Sequence, residues 1–360
     1  MGETAVKKQL HLIIVFCTIL SGCKSSNLIE GGDPPLLPEI IGIKQIINDI
    51  KPYDQINKIK EKVSPGFFQS NNAEKLVEWV KDGFYFHKNI NDTDRAQYFY
   101  GLDLAAVASD SQKYLPLYQL KIESEINVIY DLISSVHQDE LVLYKLYNEG
   151  LIIRTRNLCV GIDIILSPEN NSIAGLFADC LDGLLITHSD WDHYDTQSEL
   201  IPSLKNKNKP VILPADDSLT DFGGVLDSGS IKDLEWTAFK GGHLDRRFTS
   251  FFLIKIKNWR ILHSGDNTTW LNFVNSRYAQ SIDFFFFKPE SIELSIEEML
   301  ERIHARYVIP HHLLELTHNL NAMGHDMGLR VISQAKNNSK VIMLQWGEKL
   351  SLSSDKRKGL

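Results

Sequence analysis

Thr187-His188-Ser189-Asp190-Trp191-Asp192-His193-Tyr194-Asp195 gathers imidazoles and carboxylates more densely than any other stretch of this sequence. It follows Leu184-Leu185-Ile186, a short apolar run that reads as a buried strand. A strand that runs straight into such a cluster is how a scaffold presents several ligands to a metal. His188 and Asp190 alternate, so an extended backbone carries both to the same side. Asp192 and His193 are adjacent and diverge unless the chain turns there. The pattern points to two neighbouring metal positions.

Outward from this stretch, strand-like and helix-like texture alternates. Leu151 to Arg154 and Val160 to Leu166 read as strands before it, the second carrying Asp163. After it come a helix over Ser198 to Lys205, a strand over Pro210 to Pro214, and a loop through Gly223-Gly224. Phe251 to Ile256 and Arg260 to His263 form a hairpin turning at Asn258. Asp283 to Phe287 is apolar enough for a strand buried on both faces. Ser295 to His304 is a helix with Glu297 and Glu298 in its first turn, where they favour its dipole. Tyr307 to Pro310 is a strand, and Val341 to Trp346 reads as the last one. Strands alternating with helices give an α/β layered domain.

Three further sites in this half carry chemistry. Gly241-Gly242-His243 supplies a lone imidazole, Ser264-Gly265-Asp266 a carboxylate, and Pro310-His311-His312 another imidazole. Each has an ordinary explanation alone. A loop histidine is usually a polar surface residue, Ser-Gly-Asp is a common turn, and an aspartate in a strand can bond neighbouring amides. What joins them is their order and their position at strand ends.

Taken together these segments resemble the metallo-β-lactamase superfamily, whose signature is His-x-His-x-Asp-His. Asp190 stands where the second histidine usually stands. The resemblance covers about Tyr147 to Leu352. It implies a four-layer αββα sandwich over 147–352, and does not cover the helical region read over 39–146 before it. It places His188, Asp190 and His243 around one metal, Asp192, His193 and His312 around another, and Asp266 between them. The Pro-x-His pattern of related sequences favours His312 over His311. Asp163 matches the residue that orients the metal loop without binding metal. Imidazole and carboxylate ligands without thiolate suit a pair of Zn²⁺ ions and tolerate Mn²⁺ or Fe²⁺. Asp190 makes its position harder and more anionic, which lowers zinc preference or weakens that position.

The chemistry implied is hydrolysis. Paired divalent ions lower the pKa of a shared water, and Asp192 orients that water and takes its proton. The texture looks most like the branch containing ascorbate-6-phosphate lactonase-like and N-acyl-phosphatidylethanolamine phospholipase D-like enzymes. Pro-His-His and Arg246, which would clamp a phosphate or carboxylate of the substrate, are the reasons. Arg246 and Arg247 also read as a solvated loop pair. The expected substrate is a small or lipid-like ester: a phosphodiester, a lactone or a related ester. A β-lactam hydrolase and a metal-binding lipoprotein without turnover are the competing readings.

The N-terminus reads as an address. Lys7 and Lys8 precede an apolar run from Leu12 to Leu20 that is too short to span a bilayer. Leu20-Ser21-Gly22-Cys23 resembles a bacterial lipobox, implying cleavage after residue 22 and a lipid on Cys23. Lys24 points to the outer membrane, so the expected location is the cell envelope, facing the periplasm. Residues 23–38, with Gly31-Gly32-Asp33-Pro34-Pro35, read as a flexible tether. Residues 39–146 read as helical, including Leu117 to Leu146, and show no catalytic constellation. Cys159 and Cys180 are left either as a disulfide or as two free thiols. The composition, 43% apolar and 23% charged over 360 residues, is that of a globular protein. A formal charge of -8 and the lack of a long Lys/Arg run argue against a nucleic-acid partner.

Overall fold

The computed structural model describes residues 115–134, 141–167, 171–214, 222–243, 247–313, 328, 331, 334–335 and 339–352. The leader, the Cys23 lipobox, the tether, the helical reading of 39–114 and Arg246 lie outside the described residues.

The helices are α1 (Leu115–Ser134), α2 (Asn171–Cys180), α3 (Leu200–Asn206), α4 (Leu271–Val274) and α5 (Ile296–Ile303). The strands are β1 (Leu141–Lys145), β2 (Leu151–Arg154), β3 (Cys159–Ile162), β4 (Gly183–Leu185), β5 (Val211–Ile212), β6 (Val225–Ile231) and β7 (Leu234–Gly242). They continue as β8 (Phe248–Ile256), β9 (Trp259–His263), β10 (Phe284–Phe287), β11 (Tyr307–Pro310), β12 (Lys340–Val341) and β13 (Lys349–Leu352). They form a six-stranded sheet, β13-β1-β2-β3-β4-β5, and a seven-stranded sheet, β12-β11-β10-β9-β8-β7-β6.

Side-chain alternation decides how the layers stack. In β8, Phe252, Ile254 and Ile256 join Leu143, Ile153, Val160 and Leu185 of the other sheet in one core. Phe251 and Leu253, on the opposite face, pack with Phe273 of α4 and with Met299 and Ile303 of α5. β10 repeats the division, with Phe284 and Phe286 inward and Phe285 and Phe287 outward. It lies parallel between β9 and β11 and is buried on both faces, as its unbroken apolar run requires. α1 is tied to the first sheet by the Tyr144 hydroxyl donating to Asp131, and to the loop after β3 by Lys121 and Glu125 on Ser167. The result is the expected αββα sandwich.

Local chemistry sets the ends of these elements. Ser295 and Glu298 close a reciprocal capping box at the start of α5, and His304 ends it in the left-handed conformation. The β8–β9 hairpin turns through two residues, with Lys257 at φ 52°.

Four sequence expectations change. β1 lies inside the stretch read as helical: Leu141-Val142-Leu143-Tyr144-Lys145 is buried throughout, so it shows no alternation that would mark it as a strand. The β6–β7 hairpin was not foreseen, because β6 is mostly exposed and polar (Asp227-Ser228-Gly229-Ser230). The strand read over 341–346 is confined to β12, and β13 is the last. Asp163 stands one residue past β3, at φ 43°, not within it. Cys159 and Cys180 are free thiols.

Strand direction locates the site. β1, β3 and β4 run one way in the first sheet. β7, β9, β10 and β11 share one direction in the second. Every candidate residue follows the C-terminal end of one of these strands, where side chains from separate strands converge.

Candidate metal centre

The loop after β4 is held from below by Asp163. Its Oδ1 accepts the Thr187 amide at 2.8 Å, and its Oδ2 accepts the Thr187 hydroxyl at 2.7 Å and lies 3.0 Å from His193 Nδ1. Burial raises the Asp163 carboxyl, but the His193 bond and charge outweigh it, so the group stays ionised. The loop then turns, with the His193 and Tyr194 amides both donating to Asp190 O. Asp195 fastens its far end by accepting from the Leu166, Gln197 and Ser198 amides and the Ser198 hydroxyl.

Four donors from three segments then meet. His193 Nε2 is 3.3 Å from Asp192 Oδ2 and 3.4 Å from Asp266 Oδ1. His312 Nε2 is 3.5 Å from Asp192 Oδ2 and 3.2 Å from Asp266 Oδ1. Donors at tetrahedral angles around an ion at roughly 2.0–2.2 Å sit roughly 3.3–3.6 Å apart. The separations therefore fit a common cation. Among the described residues, His193 Nε2, His312 Nε2 and Asp266 Oδ1 are buried without a hydrogen-bond partner. Such orphaned atoms are costly unless something satisfies them.

Protonation fits as well. Burial raises the Asp192 carboxyl, but the His193 and His312 imidazoles beside it hold it far below the usual carboxylate range. Asp266 is likewise raised by burial and then held well below its ordinary value by His312, Lys288 and His193. Burial lowers His312, with the Asp266 charge pulling the other way. His193 is lowered by burial but pushed well up by Asp266 and Glu149, so a cation entering here displaces its proton.

The other three expected ligands are less gathered. His243 Nε2 lies 3.0 Å from Asp266 Oδ2, and His188 Nε2 lies 3.5 Å from Asp190 Oδ2. The rings of His188 and His243 are 6.4 Å apart between centroids. Arg247 donates to Asp190 Oδ1 at 2.7 Å. Sets of possible ligand atoms close to one another join Glu149, His193, Asp266 and His312, and also Glu149, His263 and His311; neither includes Asp192, His188, Asp190 or His243.

Glu149 belongs to a group of buried polar residues that sequence reading missed. It sits in the β1–β2 turn, with Oε2 3.6 Å from His193 Nδ1, the nitrogen Asp163 already holds. It therefore stands behind the ring, not at the open Nε2. His263 is equally committed: Nε2 meets Glu149 O at 3.0 Å and Nδ1 accepts the Gly265 amide. His311 Nε2 pairs with Ser264 Oγ at 2.9 Å, so of the two adjacent histidines it is His312 that faces the centre. In the same turn, Asn148 Nδ2 donates to Asp192 O at 3.1 Å and to Asp192 Oδ2 at 3.4 Å. Lys288, after β10, places Nζ 3.0 Å from Asp266 Oδ2. Asn148 and Gly150 between apolar runs signalled a turn, and Lys288 followed a buried strand, but neither pattern says what the side chain meets.

No protein-family model matches the chain, and no curated protein matches it. Among solved structures it is similar to Igni18, a metallo hydrolase from the archaeon Ignicoccus hospitalis, at 16% identity and TM-score 0.41, over 59% of this chain and 99% of that one. It is similar to the metallo-β-lactamase fold protein YhfI from Bacillus subtilis at 14% identity and TM-score 0.45, over 59% and 100%. It is also similar to CmlA, a diiron β-hydroxylase from Streptomyces venezuelae, at 17% identity and TM-score 0.44, over 61% and 54%.

Proposed function

We propose that the chain is a metal-dependent hydrolase of the metallo-β-lactamase kind, acting on an ester-type bond. Asp192, His193, Asp266 and His312 would hold a divalent ion, zinc by ligand type, with manganese or iron tolerated. The observation that carries the reading is the set of 3.2–3.5 Å separations between two imidazole nitrogens and two ionised carboxylates. The resemblance puts a second ion at His188, Asp190 and His243, with Asp266 bridging.

A divalent ion held there would supply a water of lowered pKa and a Lewis acid for the electrophile's oxygen. Asp192 would orient the attacking water and serve as its proton acceptor. Asn148 fixes the Asp192 carboxylate by bonding both its backbone oxygen and Oδ2. Asp163 holds His193 through Nδ1, leaving Nε2 to face the centre. Trp191, 46% exposed between Asp190 and Asp192, would offer an apolar surface to a lipid-like or lactone substrate. Arg246 remains the proposed clamp for a substrate phosphate or carboxylate.

The finer branch, lactonase-like or phospholipase D-like, and a lipid anchor on Cys23 at the outer membrane are part of the same proposal, carried by the sequence motifs. Elemental analysis of protein purified without chelator, followed by phosphodiester, lactone and β-lactam substrates, tests it. Retained ion with turnover of the first two classes is the expected result. Turnover of β-lactams alone favours the antibiotic-hydrolase reading, retained ion without turnover favours a binding lipoprotein, and no ion overturns the proposal.

A further inference from the structure

The two oxygens of Asp266 face different surroundings. Oδ1 faces His193 Nε2 at 3.4 Å and His312 Nε2 at 3.2 Å. Oδ2 faces His243 Nε2 and Lys288 Nζ, each at 3.0 Å. For Asp266 to bridge two ions, Oδ2 would have to accept the second one. That oxygen already meets an ammonium, and a dication bound to it would stand within roughly 4–5 Å of Lys288 with little water to screen them.

Lys288 has no easy way out. It is 3% exposed, its backbone amide is held by Ser264 Oγ at 3.0 Å, and its other carboxylate partner is Glu290 at 3.4 Å. Arg247 in turn takes Asp190 Oδ1 at 2.7 Å. Both carboxylates expected to bind a second ion thus already carry a side-chain cation.

The imidazoles agree. A ring bound through nitrogen has its centroid roughly 3.2 Å from the ion. The 6.4 Å between the His188 and His243 centroids would put the two rings on opposite sides of an ion. The 5.8 Å between His193 and His312 leaves an ordinary open angle.

We propose that Lys288 stands in for the second metal ion, so that the chain holds a single divalent ion at Asp192, His193, Asp266 and His312, and Asp266 does not bridge. This rests on the proposed function above for the first ion and differs from it on the second. The buried ammonium supplies permanently part of the positive charge that a second ion would bring.

The test is titration of Zn²⁺ and Mn²⁺ into chelator-stripped full chain, read by calorimetry and by elemental analysis after gel filtration. Wild type is expected to keep about one ion per chain and Lys288→Arg the same, while Lys288→Met rises to about two. With Mn²⁺, the paramagnetic resonance spectrum of wild type is that of an isolated ion, and Lys288→Met gains a spin-coupled pair. About two ions in wild type overturn the inference and leave the hydrolase proposal standing. A folded Lys288→Met chain that stops at about one ion also overturns it. Should Lys288→Met fail to fold, Lys288→Gln repeats the count and the wild-type number still decides. Absence of any bound ion overturns this inference and the proposed function together.

Discussion

Removing the Asp163 carboxylate separates what holds the loop from what holds the ion. Asp163 takes the Thr187 amide at 2.8 Å, the Thr187 hydroxyl at 2.7 Å and His193 Nδ1 at 3.0 Å, all buried. In Asp163→Ala the hydroxyl can turn to His188 Nδ1, 3.1 Å away, but the amide is left unpaired and the imidazole N–H keeps only the Thr187 hydroxyl oxygen at 3.3 Å. At about 1–3 kcal/mol for the orphaned amide and about 1.5–3 kcal/mol for the lost charge-assisted bond to His193, the chelator-stripped chain loses about 2.5–6 kcal/mol. Asp163→Asn keeps an oxygen for the Thr187 amide and gives up mainly the charge-assisted bond to His193, a loss of about 1.5–3 kcal/mol. Ion affinity responds separately, because His193 loses its orienting partner: about 10–100-fold weaker binding is expected in Asp163→Asn. Urea unfolding in chelator reads the first quantity, and competition with a chromophoric chelator reads the second. A folded Asp163→Asn chain with wild-type ion affinity would refute the claim that His193 is a ligand oriented through Nδ1.

Other perturbations reach different parts of the account. Asp192→Asn is expected to lower turnover about 10²–10⁴-fold while most of the ion is retained; full activity in that variant removes Asp192 from the mechanism. Burial brings Lys145 down to about 7, with Glu149 pulling the other way. Between that value and the ordinary 10.5 the unfolded chain holds a proton the folded chain has released, so this group makes stability rise with pH across the window. Wild type should therefore gain on Lys145→Met by on the order of a few kcal/mol from pH 7 to 10, and parallel urea midpoints across that range count against it. Phe252, fully buried between the sheets and edge-on to Trp236, should cost about 3–5 kcal/mol when changed to alanine; a midpoint within about 1 kcal/mol of wild type contradicts the inter-sheet core.

The elements legible in the sequence were those whose burial differs from their neighbours' in a periodic or punctuated way. β8 and β9 read clearly because Lys257-Asn258 interrupts two apolar runs, and β10 because Phe284 to Phe287 can only be buried. β1 was lost to the helical texture before it, since all five of its residues are buried and none alternates. β6 was lost for the opposite reason, being an exposed edge strand rich in Ser, Gly and Asp. The candidate ligands were legible because imidazoles and acids cluster at strand ends. Asn148, Glu149 and Lys288 were not, because each is a single common residue type that in sequence looks solvated. Only the folded chain brings the β1–β2 turn against the Thr187–Asp195 loop and the end of β10 against Asp266. Asp190 shows a further limit: its position in the motif is visible in the sequence, but its pairing with Arg247 depends on a contact between loops 57 residues apart.

Anomalous scattering from crystals grown with Zn²⁺, collected on both sides of the zinc edge, bears most directly on the proposed centre. The expected result is a peak about 2.0–2.2 Å from each of Asp192 Oδ2, His193 Nε2, Asp266 Oδ1 and His312 Nε2. No peak among those four atoms at saturating zinc, or a peak lodged instead between Glu149, His263 and His311, would contradict it.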